Sequence, residues 1–214
     1  MRVAAILPVK HFDDAKQRLA TGLEPAQRRD LAAAMVEDVL AAIGQARTVE
    51  RTIVVTGDPI AQEIAAEAGA EVVPDPADAG HIQAALAGIA RAEVEGAECV
   101  VLLPGDCPLL DPQELDRLLT GVPSPYVGIV PDRHGTGTNG LVLNPPSAIV
   151  PAFGEGSCAR HVDLAREAGI PFEVDELPTL GLDLDTPADV IALTRALAGG
   201  RRGRARRTAR ALGI

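Results

Sequence analysis

Val100-Val-Leu-Leu-Pro-Gly-Asp-Cys-Pro-Leu-Leu110 decides the fold. Four consecutive large apolar residues, two of them β-branched, read as a strand buried on both faces, the kind found in parallel sheets. Pro104-Gly105 ends it. Asp106 follows at once, so the chain leaves a core strand and presents an acid at its carboxyl end. Ligands of open α/β sheets bind beyond that end. Asp106 is therefore a candidate site residue, with a simple turn-forming role as the plainer alternative.

Strand-like and helix-like segments alternate on both sides of this stretch. Upstream, 3–9 is an apolar β-type run and 25–43 a helix with Leu31, Met35, Val39 and Ile43 spaced by four. A strand at 51–56, a helix at 59–68 opened by Asp58, a short strand at 71–73 and a helix at 82–94 follow. Downstream, 112–119 is a short helix, and strands at 127–131 and 141–144 flank a loop at 132–140. A helix at 157–168, a strand at 171–174 and a last helix at 187–198 complete the body. This order predicts one Rossmann-like, three-layer α/β domain over 1–198, with a mostly parallel mixed sheet and helices on both faces. Residues 199–214 read as a basic, flexible tail.

Of 214 residues, 47% are hydrophobic and only 2% aromatic, which gives a real core but no stacking surface for bases. The net charge is −10. Six arginines and no acid fall in 201–214, so the body alone holds −16. An acidic body argues against nucleic-acid binding. No apolar run is long enough to span a bilayer. Cys99, Cys107 and Cys158 lack metal-ligand spacing, and the absence of a signal segment predicts a reduced, cytoplasmic protein. The oligomeric state stays open, a homodimer included.

Two further acids join Asp106. In Gly181-Leu-Asp-Leu-Asp-Thr-Pro187, alternation places Asp183 and Asp185 on one face of an expected strand. Carboxylates crowded at strand ends repel one another, and a hard divalent cation relieves that repulsion. The rival reading makes Asp185 a cap for the helix at Pro187. The loop Leu7-Pro-Val-Lys-His-Phe-Asp-Asp-Ala-Lys-Gln-Arg-Leu19 concentrates Lys10, Lys16 and Arg18, as a triphosphate site needs. It is neither a Walker loop nor a dinucleotide fingerprint. Gly135-Thr-Gly-Thr-Asn139 can turn backbone amides toward an anion, although a plain hairpin is the better reading of that segment alone. Phe153-Gly-Glu-Gly-Ser157 places Ser157 as an expected N-cap, with Arg160 and His161 in the first helical turn. No Ser-His-acid or Cys-His set is present, and a reaction joining two phosphates needs none.

In this order and over about residues 4–193, the segments Leu7-Pro-Val-Lys, Ala15-Lys-Gln-Arg-Leu19, Leu103-Pro-Gly-Asp-Cys-Pro-Leu109, Gly135-Thr-Gly-Thr-Asn139, Phe153-Gly-x-Gly-Ser-x3-His161 and Asp183-x-Asp-Thr-Pro187 resemble the 2-phospholactate/phosphoenolpyruvate guanylyltransferases of coenzyme F-420 biosynthesis, a branch of the MobA-like nucleotidyltransferases. The resemblance implies the nucleotide-diphospho-sugar transferase type of fold, GTP as co-substrate and Mg2+ on Asp106, Asp183 and Asp185. It implies Pro8, Val9, Lys10, Gln83 and Gly105 along the nucleotide, and Asp106, Lys16 and Arg18 as catalytic groups. Thr138, Asn139, Gly154 and Ser157 match the acceptor side, where phosphoenolpyruvate is favoured and 2-phospho-L-lactate comes next. Relatives commonly carry Gly-Leu-Asn before Ala-Ala-Leu; here the segment is Gly80-His-Ile-Gln-Ala-Ala-Leu86. The rivals are a related transferase acting on molybdopterin or a sugar phosphate, and a non-catalytic nucleotide-binding regulator.

Overall fold

The computed structural model describes residues 1–14, 16, 19, 22–75, 80–199 and 204–214. Seven strands form one sheet in the order β3-β2-β1-β4-β6-β5-β7. They are β1 (Val3–Pro8), β2 (Arg51–Thr56), β3 (Glu71–Pro74), β4 (Cys99–Leu102), β5 (Tyr126–Pro131), β6 (Thr138–Asn144) and β7 (Phe172–Val174). β6 pairs antiparallel with both neighbours, and every other pairing is parallel. The expected mixed, mostly parallel sheet is thus present.

Strand side chains alternate between two cores. Val3, Ala5, Leu7, Cys99 and Val101 enter one, together with α1 (Pro25–Ile43), α2 (Pro59–Glu67), α4 (Pro112–Leu119) and α6 (Pro187–Ala198). Ala4, Ile6, Val100 and Leu102 enter the other, with α3 (His81–Val94) and α5 (Ser157–Glu167). Central strands buried on both faces explain why they are apolar throughout rather than alternating. All three cysteines are buried free thiols. Among the described residues, no helix is long and apolar enough to cross a membrane.

Four local expectations need correction. β6 begins at Thr138, not 141, because the pairing steps from Val130 with Gly140 to Pro131 with Thr138 and leaves Asn139 as an extra residue. That bulge breaks the alternation that marks a strand in sequence. Residues 181–185 form no strand. Leu182 and Leu184 alternate inward, but the segment makes only isolated backbone bonds, such as Leu184 N to Asp106 O at 3.1 Å. Ser157 is not the cap of α5: Gly156, at φ 70, holds that position.

The fourth correction concerns the tail. Within 204–214 the chain forms α7 (Arg206–Leu212), which packs on α1. Buried Asp38 of α1 accepts hydrogen bonds from Thr208 N (2.9 Å), Thr208 Oγ1 (2.8 Å) and Arg207 N (3.3 Å). Arg207 Nε meets Glu37 at 2.7 Å, and Arg204 pairs with Asp111. Arg204 and Arg207, two of the arginines that suggest a solvated tail, help to dock it on acidic side chains of α1 and at the start of α4.

Candidate active site

The carboxyl ends of β1 and β4 and the amino end of antiparallel β6 meet at one edge of the sheet. A cleft of about 340 Å³ opens there, lined by Pro8, Val9, Lys10, Lys16, Gly105, Asp106 and Asp185, with His81 and the Met35 face of α1 as walls. Lys10, Lys16, Asp106 and Asp185 are site residues on the sequence reading itself, and Pro8, Val9 and Gly105 are those that the resemblance implies. Gln83 stands exposed one turn into α3, and His81 occupies the wall. Arg18 lies outside the described residues.

The loop after β1 is anchored rather than draped. Val9 N donates to Val55 O at 2.9 Å, and Phe12 N donates to Asp58 Oδ2 at 2.8 Å. The other oxygen of Asp58 caps α2 through Ile60 N and Ala61 N. This anchorage delivers Lys16, which adopts φ 55, a conformation that costs an L-residue roughly 1–2 kcal/mol. Its ammonium sits 2.6 Å from Asp106 Oδ2 and 2.7 Å from Asp185 Oδ1, and its side chain is 7% exposed. Burial opposes the charge on Lys16, but Asp106 and Asp185 outweigh it and hold the ammonium above its ordinary pKa.

Asp183 lies beside this cluster and accepts a 3.4 Å contact from Asn139 Nδ2. Burial, reinforced by the charge of Asp106, raises its pKa. Among the described residues, no three carboxylate, imidazole or thiolate groups converge on one metal position. Two of the three expected acids instead share the lysine ammonium. The Asn139 amide also donates to Leu180 O at 3.0 Å, fixing the strand start against the segment that carries Asp183.

Asp189 supports Asp185 from behind. Its Oδ2 accepts from Asp185 N (3.0 Å), Thr186 N (2.6 Å) and Thr186 Oγ1 (2.8 Å), and its Oδ1 pairs with Arg133 Nη2 at 2.6 Å. Thr186, not Asp185, caps α6 in a capping box with Asp189, so Asp185 keeps its carboxylate for the cleft. The Thr-x-x-Asp spacing carries this signal; Arg133 has none, because its partner is 56 residues away.

The second half of the site surrounds Thr138 and the start of α5. Gly154 and Gly156 adopt φ 117 and 70, which side-chain-bearing residues rarely reach. Ser157 N and Cys158 N are engaged by Gly154 O (3.1 Å) and Thr136 O (3.2 Å), so these two amides are not free for an anion as expected. Arg160 wraps back onto the carbonyls of Ala152 and Glu155. The polar side chains here are Ser157, Thr138 and His161. Thr138 Oγ1 lies 3.0 Å from His161 Nδ1, and Ala152 N donates to His161 Nε2 at 2.9 Å. Phe153 stands edge-on to both His81 (4.7 Å) and His161 (5.3 Å) and joins the two halves of the site. Burial, chiefly, with Lys10 opposing the charge further and Asp106 favouring it, lowers the pKa of His81.

Cations and carboxylates at one end and small hydroxyl groups at the other suit a triphosphate facing a second anion. The family model described as "Guanylyl transferase CofC like" matches residues 3–214. Phosphoenolpyruvate guanylyltransferase of Conexibacter woesei is 51% identical over 211 residues, which cover 97% of this chain and 94% of that protein. 3-Phospho-D-glycerate guanylyltransferase of Phenylobacterium zucineum is 36% identical over 200 residues, 92% of each chain. A nucleotide-diphospho-sugar transferase from Desulfovibrio desulfuricans G20 shares the fold, with a TM-score of 0.76 at 17% identity over 98% of this chain and 95% of that one.

Proposed function

The chain belongs to the CofC-like guanylyl transferase family, and from that premise we propose that it transfers GMP from GTP to the phosphate of a small phosphorylated carboxylic acid in the cytoplasm, releasing pyrophosphate. Phosphoenolpyruvate is the favoured acceptor and 2-phospho-L-lactate the next, as a step toward coenzyme F-420. The observation that carries this reading is the joining of Lys16 to Asp106 and Asp185 at the mouth of the β1–β4 cleft, at 2.6 and 2.7 Å.

No side-chain nucleophile is needed. The acceptor phosphate is largely dianionic at neutral pH, its second pKa being about 6, and needs positioning more than activation. One of its oxygens forms a bond to the α-phosphorus of GTP. The bond from that phosphorus to the β-bridging oxygen breaks, and the electron pair leaves with pyrophosphate. Lys10 and Lys16 lie against the triphosphate and offset the charge that departs. Pro8, Val9, Gly105 and the His81 wall hold the nucleoside portion. The hydroxyls of Thr138 and Ser157, on the strand start and helix start beyond Phe153, hold the acceptor phosphate.

Asp106, Asp183 and Asp185 offer only oxygen donors, the set a hard divalent cation takes, with Mg2+ the proposed ion. The Lys16 ammonium marks a point where two of them already accept positive charge. Held by these carboxylates, such an ion would supply Lewis-acid stabilisation of charge on the phosphates.

The test is pyrophosphate release from GTP and Mg2+ with phosphoenolpyruvate, 2-phospho-L-lactate, 3-phospho-D-glycerate and a sugar phosphate, with products read by mass spectrometry. A guanylylated phosphoenolpyruvate is expected. Turnover confined to the sugar phosphate, or none with any acceptor, would overturn the reading.

A further inference from the structure

Four atoms beside the acceptor half of the site form a chain with a definite direction. Ala152 N–H can only donate, and it points at His161 Nε2 from 2.9 Å. Nε2 therefore carries no proton. An imidazolium is excluded by the same donor. The proton of the neutral ring must then sit on Nδ1, which lies 3.0 Å from Thr138 Oγ1 and donates to it. A threonine hydroxyl that accepts one hydrogen bond still has its own proton to give. Among the described residues, none takes it.

We propose that His161 is a positioning residue for the acceptor: locked in its Nδ1–H form by Ala152, it turns the Thr138 hydroxyl into a donor aimed at the acceptor's phosphate. The inference rests on the acceptor reading of Thr138. Without the histidine, that hydroxyl is free to rotate and to spend its proton elsewhere. With it, the proton is committed before the substrate arrives, which lowers the ordering cost of binding an anion.

The surroundings are built for this. His161 is fully buried, and its pKa is lowered to about 4, by burial first and then by the nearby charge of Arg160. Arg160 itself binds the carbonyl of Ala152, so the residue that holds the ring's proton acceptor is fixed in turn. Phe153 stands edge-on to the ring at 5.3 Å and limits its rotation.

The experiment is a double-mutant cycle read in KM for the acid, KM for GTP and kcat. His161→Leu and Thr138→Val should each raise the acid KM about ten-fold, the scale of one hydrogen bond to a charged group, and spare the GTP KM. The double variant should be no worse than Thr138→Val alone, because both act through one hydroxyl. His161→Asn places an amide nitrogen near the Nδ1 position and should restore most of the loss. Multiplied effects in the double variant, or equal losses for acid and GTP, would overturn the proposal. A Thr138→Val enzyme with unchanged acid KM would instead remove the acceptor reading itself, and this inference with it. Should the leucine variant fold poorly, nitrogen NMR of labelled histidine in the unaltered protein decides. A protonated Nδ1 at neutral pH is expected, and a protonated Nε2 would refute the lock.

Discussion

Thr208→Val probes whether α7 belongs to the folded domain. The substitution keeps the shape of the side chain and removes one hydroxyl. That hydroxyl donates to Asp38 Oδ2 at 2.8 Å, and Asp38 is only 8% exposed, so water cannot readily take its place. A hydrogen bond to a charged group contributes about 1.5–3 kcal/mol. The backbone bond from Thr208 N remains, so the loss should fall near the middle, about 2 kcal/mol. For a chain of this size each kcal/mol moves the melting temperature by about 2–4 °C, which gives a fall of roughly 4–8 °C. Deleting 200–214 should cost more, since it also removes the pairs of Arg207 with Glu37 and Arg204 with Asp111 and the burial of Ala205. Calorimetry or circular dichroism at neutral pH measures both. Melting temperatures within about 1 °C of the unaltered protein would show that α7 does not hold to α1 in solution, and that the arginine-rich end behaves as its composition alone suggests.

Two further outcomes follow from the carboxylate cluster. Asp183 has a raised pKa, so its ionisation destabilises the fold; that contribution is favourable below the ordinary value of 3.8 and is lost as pH rises through the folded-state value. Asp183→Asn should therefore raise the melting temperature of the metal-free protein at neutral pH while abolishing turnover, and the gain should vanish as the pH approaches 3.8; a gain that persists there would point to packing rather than charge. Lys16→Met should lower the metal-free melting temperature, because Asp106 and Asp185 lose the ammonium between them, and Mg2+ should then stabilise the variant more than it stabilises the parent; equal Mg2+ responses would separate Lys16 from the cation position.

How much of this was legible depended on whether the signal was local. α1, α4, β2 and α6 have the bounds their periodicity and prolines indicate, because each carries its own apolar pattern and start signal. Lys16, Asp106 and Asp185 were legible as loop charges at strand ends, and the structure brings them together. The docking of α7 was not, since it depends on an Asp38–Thr208 contact spanning 170 residues and on opposite charges with no period. The cap at Gly156 was hidden by Ser157, the commoner capping residue type, which left no reason to look one position earlier. Arg133 and Asp189 were invisible as a pair for the same reason of distance, although they hold Asp185 in place.

The extra residue in β6 has a consequence of parity. From Leu143 back to Gly140 the strand alternates regularly, with Leu143 and Leu141 toward α5 and Val142 toward α1. A β-carbon on Gly140 would lie 2.8 Å from Leu180, on the α1 side. An unbroken strand would continue that count, sending residue 139 toward α5 and residue 138 toward Leu180. The doubled position instead puts Asn139 on Leu180 O and Asp183, and frees Thr138 to meet His161. The odd-even count of one strand is thus reversed at its first two residues, and the placing of Thr138 beside His161 and of Asn139 beside Asp183 follows from that reversal. Deleting one residue of the loop 132–137 so that the bulge closes, with Thr138 and Asn139 both kept, would restore the regular count and exchange the two side chains, with every functional residue type still present in the sequence.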